Sequence, residues 1–346
     1  MLRLCRCRRS EVRQHRPGWS VARLSFFVAL VALGLWALMS CSSGENPAEQ
    51  SFASREEGEI TVEETRMKVG GGIVVQTRAV GPVDATNVLI TIHGGPGLSL
   101  EAMRGFELLA GPDRRVVSYD QRGAGRSTMA DDLDYSLEGH VADLEAVRKA
   151  LGVESVQLVG QSWGGAIASA YAATHPDRVS ALVLVGAVPL DRAEYLAGQD
   201  RFQARVAELQ QLEIIAAQIP QIEHGSCVAA FHAVLPAYLD DPTSNLEVPL
   251  ESCTAETTIA TYEAFITDET VSEYGDNLAA FASPALLLAG EHDVYGRGWL
   301  TRQQELFVNA LTDLVLISNA GHLVIAEQPD ATLSAITRFL ADQARS

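Results

Sequence analysis

The chain has 346 residues, 47% of them hydrophobic, and a net charge of −18 from 26 basic and 44 acidic side chains. That length buries the core of one domain with an insertion, or of two domains. So acidic a chain makes a poor partner for nucleic acid or an anionic lipid surface, and neither is expected.

The first 23 residues are rich in arginine, and a 16-residue apolar run follows, Leu24 to Met39. A membrane-spanning helix needs ~20 apolar residues, so the run suits the core of an export signal instead. It closes in Leu38-Met39-Ser40-Cys41, which resembles the lipobox of bacterial lipoproteins. The resemblance implies a signal peptide over 1–40, a lipidated Cys41, and an exported chain tethered to a bacterial membrane by the polar segment 41–59. Cys5 and Cys7 leave with such a signal. Cys227 and Cys253 then remain, both in one inserted region, and export permits a disulfide between them. The bridge is expected; the alternative is a pair of buried thiols.

Ile60 to Val69 and Ile73 to Val80 read as strands joined by a turn at Gly70-Gly71-Gly72. Asn87 to Ile92 reads as a third strand, running into His93-Gly94-Gly95-Pro96-Gly97. A loop so rich in glycine exposes backbone N–H groups, and Gly95 is the candidate donor to an oxyanion. No Gly-Lys-Ser/Thr follows, which argues against a phosphate loop. Arg114 to Tyr119 is a further strand, ending at Asp120-Gln121-Arg122-Gly123-Ala124-Gly125-Arg126-Ser127. Asp120, Arg122 and Arg126 are expected to brace this loop as charge-assisted pairs. Ser136 to Leu151 carries helical spacing and stops at Gly152.

The most informative stretch comes next. Val156, Leu158 and Val159 make a short buried strand, Gly160-Gln161-Ser162-Trp163-Gly164 makes a G-x-S-x-G turn, and a small-residue helix follows from Gly165. Strand, sharp turn and helix together are the setting of a nucleophile elbow. A serine on a strained turn needs neighbours without side chains, which Gly160 and Gly164 supply. Ser162 is the candidate nucleophile, and the N–H of Trp163 is the second candidate oxyanion donor.

Ser180 to Val188 reads as a strand, 189–282 shows helical rather than strand patterning, and Ser283 to Gly290 returns to the sheet. The motifs HGGPG, DQRGAGRS and GQSWGG, in this order, resemble the α/β-hydrolase superfamily and, more narrowly, the proline iminopeptidase group of serine peptidases. The resemblance implies an α/β fold with a mostly parallel central sheet flanked by helices. The catalytic domain would comprise 60–188 and 283–346, and 189–282 would form a helical cap. It places the acid at Asp293, with Glu291 as the local alternative, and the base at His322 on the loop after the last strand, Leu314 to Ile317. The order Ser162, Asp293, His322 is that of the superfamily.

Such chemistry requires no metal or organic cofactor, and no Cys or His cluster has ligand spacing. The implied reaction is acyl transfer through an acyl-enzyme on short peptides with free N-termini. An esterase or lactonase, and a non-catalytic binding relative, are the rival readings. In the iminopeptidases cap acids receive the substrate's α-amino group; the candidates are Glu194, Glu208, Glu213, Glu223 and Glu263.

Overall fold

The computed structural model describes residues 60–129, 134–212 and 227–343. The proposed signal, tether and Cys41, and the candidates Glu213 and Glu223, lie outside the described residues. Eight strands form one sheet in the order β1-β2-β4-β3-β5-β6-β7-β8. They are β1 Val62–Gly70, β2 Ile73–Val80, β3 Asn87–Ile92, β4 Arg114–Tyr119, β5 Val156–Gln161, β6 Val179–Val185, β7 Ala285–Gly290 and β8 Thr312–Ile317. β1, β2 and β4 pair antiparallel, and every other neighbouring pair from β4 to β8 is parallel.

The central strands are nearly continuous apolar runs because both faces of the sheet are covered. Successive residues serve opposite layers. Ile90, Leu158, Leu182 and Leu287 pack with helices α1 (Leu137–Ala150) and α2 (Trp163–Thr174). Leu89, Val159, Val183 and Leu286 pack with the 3-10 helix Leu100–Leu109 and the C-terminal helix. Helix α1 starts where Ser136 accepts the Gly139 N–H and ends with Arg148 and Lys149 in its last turn, so both ends suit the helix dipole.

Among the described residues four α-helices intervene between β6 and β7: α3 Arg192–Gln211, α4 Cys227–Tyr238, α5 Ala255–Thr267 and α6 Val271–Asn277. Helix α7 (Arg297–Leu306) joins β7 to β8. After β8 the chain makes a short turn of helix, α8 (Val324–Glu327), before α9 (Pro329–Gln343). Pro329 has no N–H to continue the turn from Glu327, and it opens α9 instead.

Chain order reverses across the sheet between β3 and β5: β4 lies on one side of β3, while β5 and its successors lie on the other. Parallel sheets bind ligands beyond the carboxyl ends of strands at such a switch point. The ends of β3 and β5 carry His93–Gly97 and Ser162.

Candidate active site

Ser162 joins β5 to α2 with φ 51° and ψ −118°. Among the described non-glycine residues only Asn319 shares a positive φ. The strain is held by backbone bonds: the Ser162 N–H donates to the Val185 carbonyl, and the Ser162 carbonyl accepts from Gly165 and Val188. The flanking glycines are needed on steric grounds. A Cβ on Gly160 would come 2.7 Å from Gly165 Cα, and one on Gly164 would come 2.7 Å from the His93 carbonyl oxygen. The Trp163 N–H belongs to the first turn of α2, where backbone donors have no intrahelical acceptor.

The His93–Gly97 loop passes directly over the serine. A Cβ on Gly94 would lie 3.1 Å from Ser162 Cβ and 3.7 Å from its Oγ. Gly95, Ser162 and His322 line one cavity of about 260 Å³. Behind it, His322 Nδ1 meets Asp293 Oδ2 at 2.9 Å, with both side chains buried. A carboxylate only accepts, so this contact puts the imidazole proton on Nδ1 and leaves Nε2 free to take one. Asp293 is itself oriented by the Tyr295 N–H at 2.9 Å.

The imidazole is held from three sides. Its backbone N–H donates to the Tyr238 carbonyl at 2.7 Å. The Tyr238 ring stacks on it at 5.5 Å, and Tyr295 meets it edge-on at 4.8 Å. Glu327 fastens the same loop, accepting the Gly321 N–H through one oxygen and the Asp240 N–H through the other, both at 2.7 Å. Burial pushes the Glu327 carboxyl above its ordinary range. The alternative acid Glu291 is exposed. His292 turns outward to Asp240 at 2.6 Å.

Gln121 is a site residue that sequence reasoning passed over. Its Nε2 donates to the His93 carbonyl at 2.7 Å, and its Oε1 accepts from the Trp163 indole at 3.2 Å. One buried amide therefore ties together the two segments that carry the candidate oxyanion donors. The Gln121 N–H also donates to His93 Nε2 at 3.1 Å, and His93 Nδ1 faces the Gly94 carbonyl at 2.9 Å. Both contacts require neutral His93 with its proton on Nδ1. Burial agrees, lowering its pKa to about 4. The only sequence signal was a neutral amide among the charges of the DQRG turn.

The expected pairing within that turn takes a different form. Asp120 accepts backbone N–H groups of Leu100 and Arg126, at 2.7 and 2.8 Å, rather than a guanidinium. Burial raises its pKa to about 6. Arg122 reaches Asp143 on α1 through two bonds at 2.7 and 2.8 Å, and Arg126 reaches Glu64. All three residues are structural, as expected, with Arg122 and Arg126 reaching carboxylates outside the turn.

Cys227 and Cys253 are bridged, with Cα atoms 5.5 Å apart, and both line the cavity. Among the described residues, the candidate amine receptors Glu194, Glu208 and Glu263 do not line it. Glu194 pairs with Arg201, Glu208 pairs with Arg205, and Glu263 is exposed. Among the described residues the carboxylate on the cavity wall is Glu247, which was not a candidate. Much of the remaining wall is apolar, including Phe202, Val206, Phe231, Val234 and Ile325.

A strained serine between a parallel strand and a helix, facing an imidazole–carboxylate pair from later strands, defines the α/β-hydrolase class of proteins. Comparison with known proteins gives the same class. The model of the alpha/beta hydrolase fold family matches residues 87–329, and the chain belongs to that family. Its relatives include the proline iminopeptidase of Xylella fastidiosa strain 9a5c, 39% identical over 149 residues, or 42% of this chain and 46% of that protein. The proline iminopeptidase of Neisseria meningitidis serogroup A is 31% identical over 227 residues, covering 64% of this chain and 68% of that protein. The chain thus groups with the proline iminopeptidases, although its match to the Xylella relatives spans about half of their length. The crystal structure of proline iminopeptidase from Mycobacterium smegmatis superposes with a TM-score of 0.59 at 22% identity, over 81% of this chain and 98% of that one. A putative lipase from Acinetobacter baumannii superposes equally well, at 0.60 and 19% identity over 82% and 92% of the two chains. Both likenesses speak to the fold alone.

Proposed function

We propose that this protein is a serine hydrolase acting through an acyl-enzyme, and that it removes N-terminal residues from short peptides. The observation that carries the chemistry is that His322, paired behind with buried Asp293, lines the same cavity as the strained Ser162. His322 Nε2 takes the Ser162 proton as Oγ attacks the substrate carbonyl. Asp293 keeps the imidazole in the required tautomer and stabilises its charged form. The Gly95 and Trp163 N–H groups receive the oxyanion, each worth ~3 kcal/mol of barrier, or roughly a hundredfold in rate. His322 then hands its proton to the leaving amine, and water releases the acyl group.

The peptidase reading is supported by the proline iminopeptidase relatives. Glu247 is the carboxylate offered to a substrate α-amino group. An esterase is the second reading, favoured by the apolar walls of the cavity. A fluorophosphonate probe should label the protein and fail to label Ser162→Ala. Aminoacyl-naphthylamides set against p-nitrophenyl esters separate the two readings: ester cleavage without amide turnover rejects the peptidase. Glu247→Gln should raise KM for the amides and leave that for the esters unchanged. Export on a lipid anchor at Cys41 is part of the same proposal. Mass spectrometry of the mature N-terminus tests it, and an unprocessed Met1 rejects it.

A further inference from the structure

The His93–Gly97 loop is fastened from outside the sheet. Three consecutive carbonyls of this loop are each taken by α5 or the residue that caps it. The Tyr262 hydroxyl donates to Gly95 O at 2.8 Å, the Thr258 hydroxyl to Pro96 O at 2.8 Å, and the Thr254 N–H to Gly97 O at 2.9 Å. Positions 254, 258 and 262 are four apart, so they stack on one face of the helix. The loop is moulded to that face: a Cβ on Gly97 would meet the Thr254 carbonyl oxygen at 2.6 Å. A fourth bond, from Thr257 to the Gly123 carbonyl, ties the same helix to the neighbouring loop.

We propose that α5 sets the working shape of the oxyanion loop, with Tyr262 and Thr258 as positioning residues for the Gly95 N–H. The proposal rests on the acyl-enzyme reading above. Gly95 and Gly97 have φ of +115° and +84°, and glycine backbone explores such regions freely. His93 Nδ1 holds the carbonyl of the Gly94–Gly95 peptide, but with the Gly95 carbonyl unanchored the backbone could still turn about Gly95. Holding the Gly95 carbonyl fixes the far side of that residue, so the two contacts together aim its N–H. An aimed donor acts where charge develops, in the transition state, and adds little to the binding of a neutral substrate.

The anchors are themselves secured. The Tyr262 hydroxyl is hydrogen-bonded to that of Tyr195, and burial drives the Tyr262 pKa far upward, so the group stays a donor. Thr258 shares its proton between Pro96 O and Thr254 O. The Cys227–Cys253 bridge ends one residue before Thr254 and pins the start of the strap. The inserted helices would then do more than screen substrates; one of them completes the oxyanion site.

The test uses Tyr262→Phe, Thr258→Val and the conservative Thr258→Ser on the full chain. Thr258 and Tyr262 also line the cavity, so each variant is assayed with p-nitrophenyl acetate, whose acyl group is a single methyl, with active sites counted by fluorophosphonate titration. Tyr262→Phe and Thr258→Val should each lower kcat per titrated site by roughly tenfold with KM within about twofold, and Thr258→Ser should recover most of the loss. The preference for the oxo ester over its thiono analogue, which depends on oxyanion hydrogen bonds, should shrink in step. The rate of fluorophosphonate labelling should fall with kcat and serves as the readout if the ester is a poor substrate. Unchanged kcat and thiono discrimination in both Tyr262→Phe and Thr258→Val would overturn the proposal. So would a loss confined to KM, or to the number of titratable sites. Failure of the acyl-enzyme reading looks different: the unmodified protein itself would not label.

Discussion

Gln121→Met tests how the two halves of the site are joined. Methionine keeps the length and apolar volume of glutamine and removes its amide. Two buried groups lose their partners: the Trp163 indole N–H, bonded at 3.2 Å, and the His93 carbonyl, bonded at 2.7 Å. An unsatisfied buried polar group costs about 1–3 kcal/mol, so the pair predicts a loss of roughly 2–6 kcal/mol in unfolding free energy. Urea unfolding followed by tryptophan fluorescence measures it, the urea slope remaining unchanged. Trp163→Phe supplies the second arm. That variant carries no indole N–H, so adding Gln121→Met orphans one group rather than two. The double variant should therefore be more stable than the sum of the single losses by about 1–2 kcal/mol. The kcat of Gln121→Met should fall, since both oxyanion segments lose their common tie. A cost under about 1 kcal/mol, or additivity within ~0.5 kcal/mol, would refute the reasoning.

Further outcomes follow from the same geometry. His93 is held neutral, with its pKa lowered to about 4 by burial. Its contribution to stability is complete above about pH 6.5 and is lost as pH falls through 4, by up to ~3 kcal/mol. Asp120, raised to about 6 by burial, works the other way between about 4 and 6. The measure is therefore the difference between unmodified and His93→Asn unfolding curves, and equal slopes between pH 6.5 and 4 would count against it. Cys253→Ser frees a loop closed across a separation of 26 residues, with a chain-entropy loss of about 3 kcal/mol. Limited proteolysis should then cut first between α4 and α5, and an unchanged cleavage pattern would contradict this. Gly186, at φ +51°, leaves room for the imidazole pair; a Cβ there would lie 3.1 Å from His322 Nδ1 and 3.2 Å from Asp293 Oδ2. Gly186→Ala should cost ~1–2 kcal/mol through its backbone and reduce kcat more than tenfold; retained kcat would show that the pair tolerates displacement. Glu327→Gln retains one strong acceptor for two N–H groups, so thermal unfolding should come several degrees earlier, and an unshifted midpoint would remove Glu327 from the anchoring of the His322 loop.

The central strands and the elbow were legible in the sequence because their causes are local. An apolar run bounded by glycine makes β5, and Gly160 is required by contacts with Gly164 and Gly165, within a few residues of Ser162. The same holds for α1, whose start and stop are written in Ser136 and Gly152. Asp293 and His322 were placed by family order, and the structure brings them to 2.9 Å. Glu247, Gln121 and Tyr262 could not be found that way. Gln121 and Tyr262 act on partners dozens of residues away, Glu247 reaches the cavity only through the fold, and nothing in a neighbouring residue marks any of them.

The sequence by itself determined the strained serine, which follows from short-range sterics, and the class of fold through the resemblance that its three motifs carry. Only the tertiary structure decided who holds whom: Asp120 with backbone amides, Arg122 with Asp143, and α5 with the His93–Gly97 loop. The reason is physical. A hydrogen bond is satisfied by whichever acceptor the packed chain delivers within about 3 Å, and that delivery is a property of the whole core rather than of any stretch within it.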